Sequence, residues 1–338
     1  MPVLDLHDEQ TVARYQTFVR SSKFGQVTQD LGWAMVKNNW VPKYVYLEDD
    51  QGNIQATLSM LLTETASGKK FAYASKGPVM DMHDLNLFDA LVAEAKTALA
   101  DDNVYLLRMD PEIAYSDALD TELQARGYVT RNRNLAGGMH ATIQPRLNMV
   151  LDLTAKPDAK ETFDLYPSKT KSKLKRPLRD GVEVDWAADQ EAIAVFFKTY
   201  ADMADRHGIS YRPMTYFERM LDAFGTDGDI LRVFIAKKDQ QVLSTGIGFK
   251  YGDKIWYMYA GSEDGNIFYA PYAVQTAMIQ WALDAGVARY DMGGIDTPDE
   301  TDGLYVFKHT FIKEAPVEYI GEIDVVLDEA VYNELVQV

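Results

Sequence analysis

The sequence predicts a mixed α/β protein in which one folding unit is used twice, and three observations carry that prediction. The chain has 338 residues, more than one compact core usually holds, so two domains are expected. The order strand, strand, strand, amphipathic helix, buried strand is read once in each half from hydrophobic periodicity. Aromatic anchors of corresponding elements keep a near-constant offset: 188 residues from Tyr46 to Phe234, 186 from Tyr73 to Tyr259 and 185 from Tyr105 to Tyr290.

Each element has its own warrant. "DEQTVARYQTFVRSS" puts Val12, Tyr15, Phe18 and Val19 on one helical face. "TQDLGWAMVKNNW" predicts a short second helix capped by Thr28, with Leu31, Ala34 and Met35 inward. "KYVYLED" and "NIQATLSMLL" alternate as strands about the turn Asp49–Asn53, and "KKFAYASKGPV" continues the sheet. "DLNLFDALVAEAKTALA" is an amphipathic helix, and "NVYLLRMDPE" a buried strand ending at Asp110-Pro111, a dipeptide that also reads as a helix start. The second half repeats the order in "LRVFIAKKDQQVLSTGIGFKYGDKIWYMYAGS", "PYAVQTAMIQWALDAG" and "ARYDMGGID". Gly137, Gly138 and Pro145 punctuate the junction. The terminal "YIGEIDVVLDEAVYNELV" follows a completed second unit, so it is expected to return to the first. The expected division is 1–147 plus 319–338 for the first domain and 148–318 for the second.

Composition excludes several classes. Hydrophobic residues at 47% and charged residues at 25% are the balance of an ordinary globular protein. With no cysteine, disulfides, thiolate metal sites and cysteine nucleophiles are excluded. The five histidines show no ligand spacing, so no metal is expected. There is no P-loop and no nucleophile elbow. "MPVLDLHDEQ" has neither a basic nor an apolar signal region, and no apolar run approaches a membrane span, so a cytoplasmic protein is expected. No DNA partner is indicated by a formal charge of −17.

Against that charge, "YPSKTKSKLKRPLRD" stands out. Six basic residues lie between Lys169 and Arg179 with no acidic one among them. On a helix, Lys169, Lys173 and Arg176 share a face, and Pro177 kinks or ends it. A charge run is usually a solvated face; within so acidic a chain it also suits an RNA backbone, which is read by charge and shape.

The repeated element order resembles the GNAT (N-acetyltransferase) fold. Two such units, the linking "QPRLNMVLDL", the basic "SKTKSKLKR" and the segments "TQDLGWAMVKNNW", "IWYMYAGS" and "YVFKH" resemble the Fem family of tRNA-dependent peptidoglycan aminoacyltransferases over almost the whole chain. The long helical arm of several relatives is absent. The resemblance implies two tandem GNAT-like domains, each a mixed sheet flanked by helices. It implies transfer of an aminoacyl group, alanine by this likeness, from aminoacyl-tRNA to the ε-amine of lysine in UDP-MurNAc-pentapeptide, by a monomer with no cofactor.

Residue roles follow from the same likeness. Lys37, Arg212 and Tyr216, with Tyr105 and Tyr257, match segments that bind the nucleotide precursor; Lys37 and Arg212 supply charge for its diphosphate. Lys308 matches the family lysine beside the transferring carbonyl, where negative charge develops, and Phe307 is placed to stack on the terminal adenosine. From pattern alone "YVFKH" reads as a strand with an exposed lysine, and Tyr105 and Tyr257 as core residues. Asp110, at the end of a buried strand, is the candidate to accept a proton from the attacking amine or to position its ammonium; Glu322 is a second carboxylate. A CoA-dependent acyltransferase and a non-catalytic RNA- or nucleotide-binding module remain the competing readings, the former disfavoured by the lack of a good glycine-rich pyrophosphate loop.

Overall fold

The computed structural model describes residues 3–225, 227–265 and 268–336. In chain order the first elements are α1 (Glu9–Ser21), α2 (Trp33–Val36), β1 (Val41–Glu48), β2 (Ile54–Glu64), β3 (Lys70–Ala74), α3 (Leu85–Leu99), β4 (Val104–Met109), α4 (Asp117–Ala125), β5 (Val129–Arg131) and β6 (Leu147–Asp152). Then come α5 (Ser168–Leu174), α6 (Arg176–Arg179), β7 (Glu183–Ala187), α7 (Gln190–His207), α8 (Met214–Phe224), β8 (Leu231–Lys238), β9 (Gln241–Tyr251) and β10 (Lys254–Ser262). The chain closes with α9 (Ala270–Asp284), β11 (Arg289–Gly294), α10 (Gly303–His309), β12 (Val317–Glu318), β13 (Glu322–Val326) and α11 (Glu329–Leu335). The longest helix among the described residues is α7, so there is no helical arm.

The chain forms two compact units: Met1–Asn148 with Gly294–Tyr305 and Pro316–Val338, and Met149–Gly293 with Val306–Ala315. The segment Gly294–Tyr305, assigned to the second domain from sequence, thus falls with the first.

In the first unit the sheet order is β1-β2-β3-β4-β13-β5. β1, β2 and β3 are successive antiparallel neighbours, and α3 carries the chain over to β4, which runs parallel to β3. Helix α3 forms because Leu85, Phe88, Leu91, Val92, Ala95 and Leu99 recur on one stripe, and Asp84 starts it by accepting the Leu87 amide at 3.0 Å. That stripe packs with Leu58, Met60 and Leu107 into the unit's core. Strand β2 is buried at nearly every interior position rather than alternating, because α1 and α3 both pack against it. The C-terminal β13 lies between β4 and β5, antiparallel to both.

The second unit repeats the plan. β8, β9 and β10 are antiparallel neighbours, α9 crosses over, and β11 runs parallel to β10. Its strands run in the order β6-β11-β10-β9-β8-β7; β12 pairs with Leu147 and Asn148, which belong with it to the first unit.

Three local expectations are corrected. Thr28 caps no helix: it sits in a 3-10 turn, Val27–Gln29, and its hydroxyl donates to the Ser75 carbonyl at 2.8 Å. In α2 the buried residues are Trp33 and Val36, whereas Met35 is exposed; four residues are too short for the longer helical stripe assumed. "YVFKH" is helical, not extended, and its lysine is buried.

Candidate active site

The first unit gathers polar groups at the C-terminal end of β4. Asp110 follows the strand directly and is only 6% exposed. No helix begins there: the next one starts at Asp117, capped by Ser116. The carboxylate is instead held by two donors, the Tyr73 hydroxyl to Oδ2 at 2.6 Å and the Lys76 amide to Oδ1 at 2.5 Å. Burial pushes its pKa up to about 7, and those hydrogen bonds with the Lys76 charge oppose the rise. Lys76 forms a buried ion pair with Glu112, which also accepts from Gln26 at 3.1 Å. Gln144 reaches the Tyr73 hydroxyl and Ser75 Oγ, both at 3.4 Å. Asp110 therefore titrates near neutrality within a fixed frame.

Glu322 is otherwise employed. One oxygen accepts from Arg131 Nε at 2.9 Å and pairs with Arg108 at 3.1 Å, and the other accepts the Ile143 amide at 2.7 Å. Tyr105 is buried beside Phe71 and lines a cavity of about 290 Å³ with Arg108, Arg131 and Ile143. Lys37 terminates α2, where its amide donates to Trp33 O at 3.0 Å, and its side chain is partly exposed.

In the second unit the parallel pairing of β10 and β11 stops at Trp256–Asp291, although β10 continues to Ser262. Gly293 lies just past that point in the left-handed region (φ +75°), and a methyl group there would sit 3.9 Å from Lys308 Nζ, from Trp256 Nε1 and from the Tyr257 carbonyl oxygen. Lys308, 5% exposed, thus brings its ammonium to the place where the two strands part. Asp291 fixes this corner: it accepts the Gly293 amide at 2.8 Å and pairs with the buried Lys254 at 3.2 Å. A lysine nitrogen beside a backbone turn at a strand gap is suited to meet a developing negative charge.

Arg212 and Tyr216 come together, the guanidinium lying 5.4 Å from the ring centroid. Tyr259, which the sequence reading used only as a repeat marker, joins them through a 3.4 Å hydroxyl contact to Tyr216. Tyr257 does not join this group. A register shift between Tyr257 and Tyr259 turns them to opposite faces of the sheet: Tyr259 packs with Tyr200 and Phe217, whereas Tyr257 turns to Gln275 on α9.

The basic segment breaks at Lys175, where α5 ends and the Pro177-containing α6 begins, so the continuous stripe is not formed. Lys169 is exposed. Lys173 lies over the Tyr272 ring at 5.1 Å and donates to Thr310 Oγ1 at 3.2 Å, and Arg176 lies 4.4 Å over Tyr269. Phe307 meets the Tyr272 ring at 5.3 Å. Tyr73, Lys76, Tyr259, Tyr269 and Tyr272 were missed as site residues; the paired tyrosines of "YAPY" at a helix start were the one local signal available.

Two mixed units of this order, joined in tandem, define a GNAT-like protein. The solved structure of FemX superposes with a TM-score of 0.85 at 22% identity, covering 99% of this chain and 100% of that one. A tandem GNAT protein from the clavulanic acid biosynthesis pathway gives 0.54 at 10% identity, covering 96% and 98%. The FemAB family model matches residues 10–235 and 228–336, and the chain belongs to that family. It is 65% identical, over 338 residues and the full length of both chains, to the UDP-N-acetylmuramoylpentapeptide-lysine N(6)-alanyltransferase of Weissella viridescens. No described helix is long and apolar enough to cross a membrane, and no described cluster of three or more His, Asp or Glu could hold a metal ion.

Proposed function

We propose that this protein transfers an alanyl group from aminoacyl-tRNA to the lysine ε-amine of UDP-MurNAc-pentapeptide, as a cytoplasmic monomer and without a cofactor. The observation that carries the proposal is the 65% identity, end to end, with the Weissella viridescens enzyme.

The chemistry asks for three things. The lysine nitrogen, with a reference pKa of ~10.4, must shed a proton. It then attacks the ester carbonyl, forming the C–N bond. The ester C–O bond breaks, and the ribose oxygen leaves as a hydroxyl after taking up a proton. In this reading Asp110, ionised above about pH 7, orients the ammonium or accepts its proton. Lys308 stabilises the oxyanion formed when the nitrogen adds. Lys37 and Arg212 bind precursor phosphate, with Tyr105, Tyr216 and Tyr257 as further precursor contacts. Lys169, Lys173 and Arg176 contact the tRNA, with Phe307 at its acceptor end.

The test offers the protein alanyl-tRNA or acetyl-CoA with UDP-MurNAc-pentapeptide and follows the precursor by mass spectrometry. An alanyl increment dependent on tRNA is expected. An acetyl increment, or no change with either donor, overturns the proposal.

A further inference from the structure

Trp256 is the last residue of β10 to pair with β11, opposite Asp291. Its indole nitrogen and the Lys308 ammonium flank one point, since a methyl group on Gly293 would sit 3.9 Å from each. The Tyr257 carbonyl oxygen lies at the same distance. Trp256, Tyr257, Gly293 and Lys308 all belong to the second unit. The place where the two strands part is therefore bordered by two hydrogen-bond donors and one acceptor. An indole N–H can only donate. Packing at this strand position asks for a ring, which phenylalanine also supplies; a nitrogen beside the lysine goes beyond that need.

The indole is also held in place. Lys254, 2% exposed, lies 5.3 Å from the centroid of the Trp256 ring. Lys254 in turn pairs with Asp291 at 3.2 Å, and Asp291 accepts the Gly293 amide at 2.8 Å. One buried ion pair thus braces both the indole and the glycine turn. A cation over an indole face is attracted to the ring and polarises it, which strengthens the N–H as a donor. A donor fixed before the reaction needs no reorientation when charge develops.

We propose that the Trp256 N–H is a second donor to the oxyanion, acting beside Lys308. The proposal rests on the transfer reading above and adds Trp256 to it. When the lysine nitrogen adds to the ester carbonyl, the C–N bond forms and the carbonyl π pair moves onto oxygen. That oxygen settles between the ammonium and the indole nitrogen and accepts from both; neither gives up its proton. When the carbonyl re-forms, the ester C–O bond breaks and the ribose oxygen leaves as a hydroxyl after taking up a proton. The intermediate carries N–H groups as well as the oxyanion, so the Tyr257 carbonyl also finds a donor. The bound ester has less charge on that oxygen, so Trp256 acts on the transition state rather than on substrate binding.

The experiment measures steady-state alanyl transfer by the full-length protein with both substrates varied. Trp256→Phe keeps a ring and loses the N–H. Its kcat is expected to fall roughly ten- to a hundredfold, as for a lost hydrogen bond to a charged group, with both KM values and the melting temperature unchanged. A benzothiophene analogue of tryptophan placed at position 256 keeps the shape and lacks only the N–H, and the same fall is expected. Full kcat in the analogue protein overturns the proposal whatever the Phe variant does, because packing then explains any loss. A raised KM with kcat restored at saturation also overturns it. If Lys308→Ala cripples transfer and the analogue does not, the functional reading stands and the donor role of Trp256 falls. No alanyl transfer by the wild type overturns the functional reading, and this proposal with it.

Discussion

The two units build the same parallel strand pair and use its end differently. In the first, β3 and β4 stay paired to Ala74–Met109, the last residues of both strands. The chain then turns back so that the Tyr73 hydroxyl and the Lys76 amide close on Asp110. In the second, β10 and β11 part after Trp256–Asp291, and a glycine with positive φ leaves room beside it for Lys308. One end is filled by a carboxylate whose proton is in question near neutrality; the other is opened for an ammonium. A shared topology therefore fixes where a functional group stands, while its sign comes from the residue supplied there: Asp110 after β4 in one unit, Lys308 from α10 in the other.

The strongest way to break this contrast is Lys308→Ala. If the open end serves the transition state, kcat should fall roughly a hundred- to a thousandfold, the usual cost of one preorganised oxyanion donor, with the precursor KM little changed. Lys308→Arg should recover little, because its planar fork cannot put the charge at the same point. A near-normal kcat at saturating levels of both substrates would remove the oxyanion role.

Asp110→Asn addresses the closed end. The folded-state pKa of about 7 lies above the ordinary 3.8, so the folded protein holds a proton that the unfolded chain has lost. The stability contributed by the neutral carboxyl is complete below pH 4 and disappears as pH rises through 7. Wild type should lose about 2–3 kcal/mol relative to the Asn variant between pH 5 and 8. Melting temperatures measured across that range check it; a constant difference between the two proteins would contradict the raised pKa. The same substitution should abolish any rise in transfer rate through pH 7.

Lys37→Met and Arg212→Met sharpen the comparison by testing precursor binding one unit at a time. Each should raise the KM for UDP-MurNAc-pentapeptide roughly tenfold or more, as expected for a lost charge-assisted hydrogen bond. Steady-state kinetics showing both constants unchanged would take them out of the precursor site. The smallest effect is expected from Lys169→Gln. An exposed cation meeting one phosphate should lower the slope of log affinity for tRNA against log salt by about 0.7–0.9, with the precursor KM unaffected.

The fold was legible because it rests on local periodicity. The stripe from Leu85 to Leu99 and the buried run from Val104 to Met109 announce their elements wherever they are placed. The repeat added the order of those elements, and near-constant offsets such as Tyr105 to Tyr290 tied the halves together. Short or interrupted elements were harder. Four-residue α2 and the break at Lys175 carry too few turns for a stripe to be read.

The candidate site divides along the same line. Sequence determined the residue types: a basic segment in an acidic chain, a carboxylate at a strand end, and a lysine in a segment like that of its family. It could not give their surroundings, since hydrogen bonds, ring contacts and burial join residues far apart in the chain. Tyr73 reaches Asp110 across 37 positions and Lys173 reaches Thr310 across 137. A one-residue register shift in β10 separates Tyr257 from Tyr259, which alternation alone would have put on one face. The tertiary structure buried Lys308 in a helix beside Gly293, where pattern had put an exposed lysine on a strand. It also raised the Asp110 pKa by removing the group from water. Periodicity is a property of neighbours in sequence and survives without tertiary contacts; charge state and reach are properties of neighbours in space and arise only once the chain has folded.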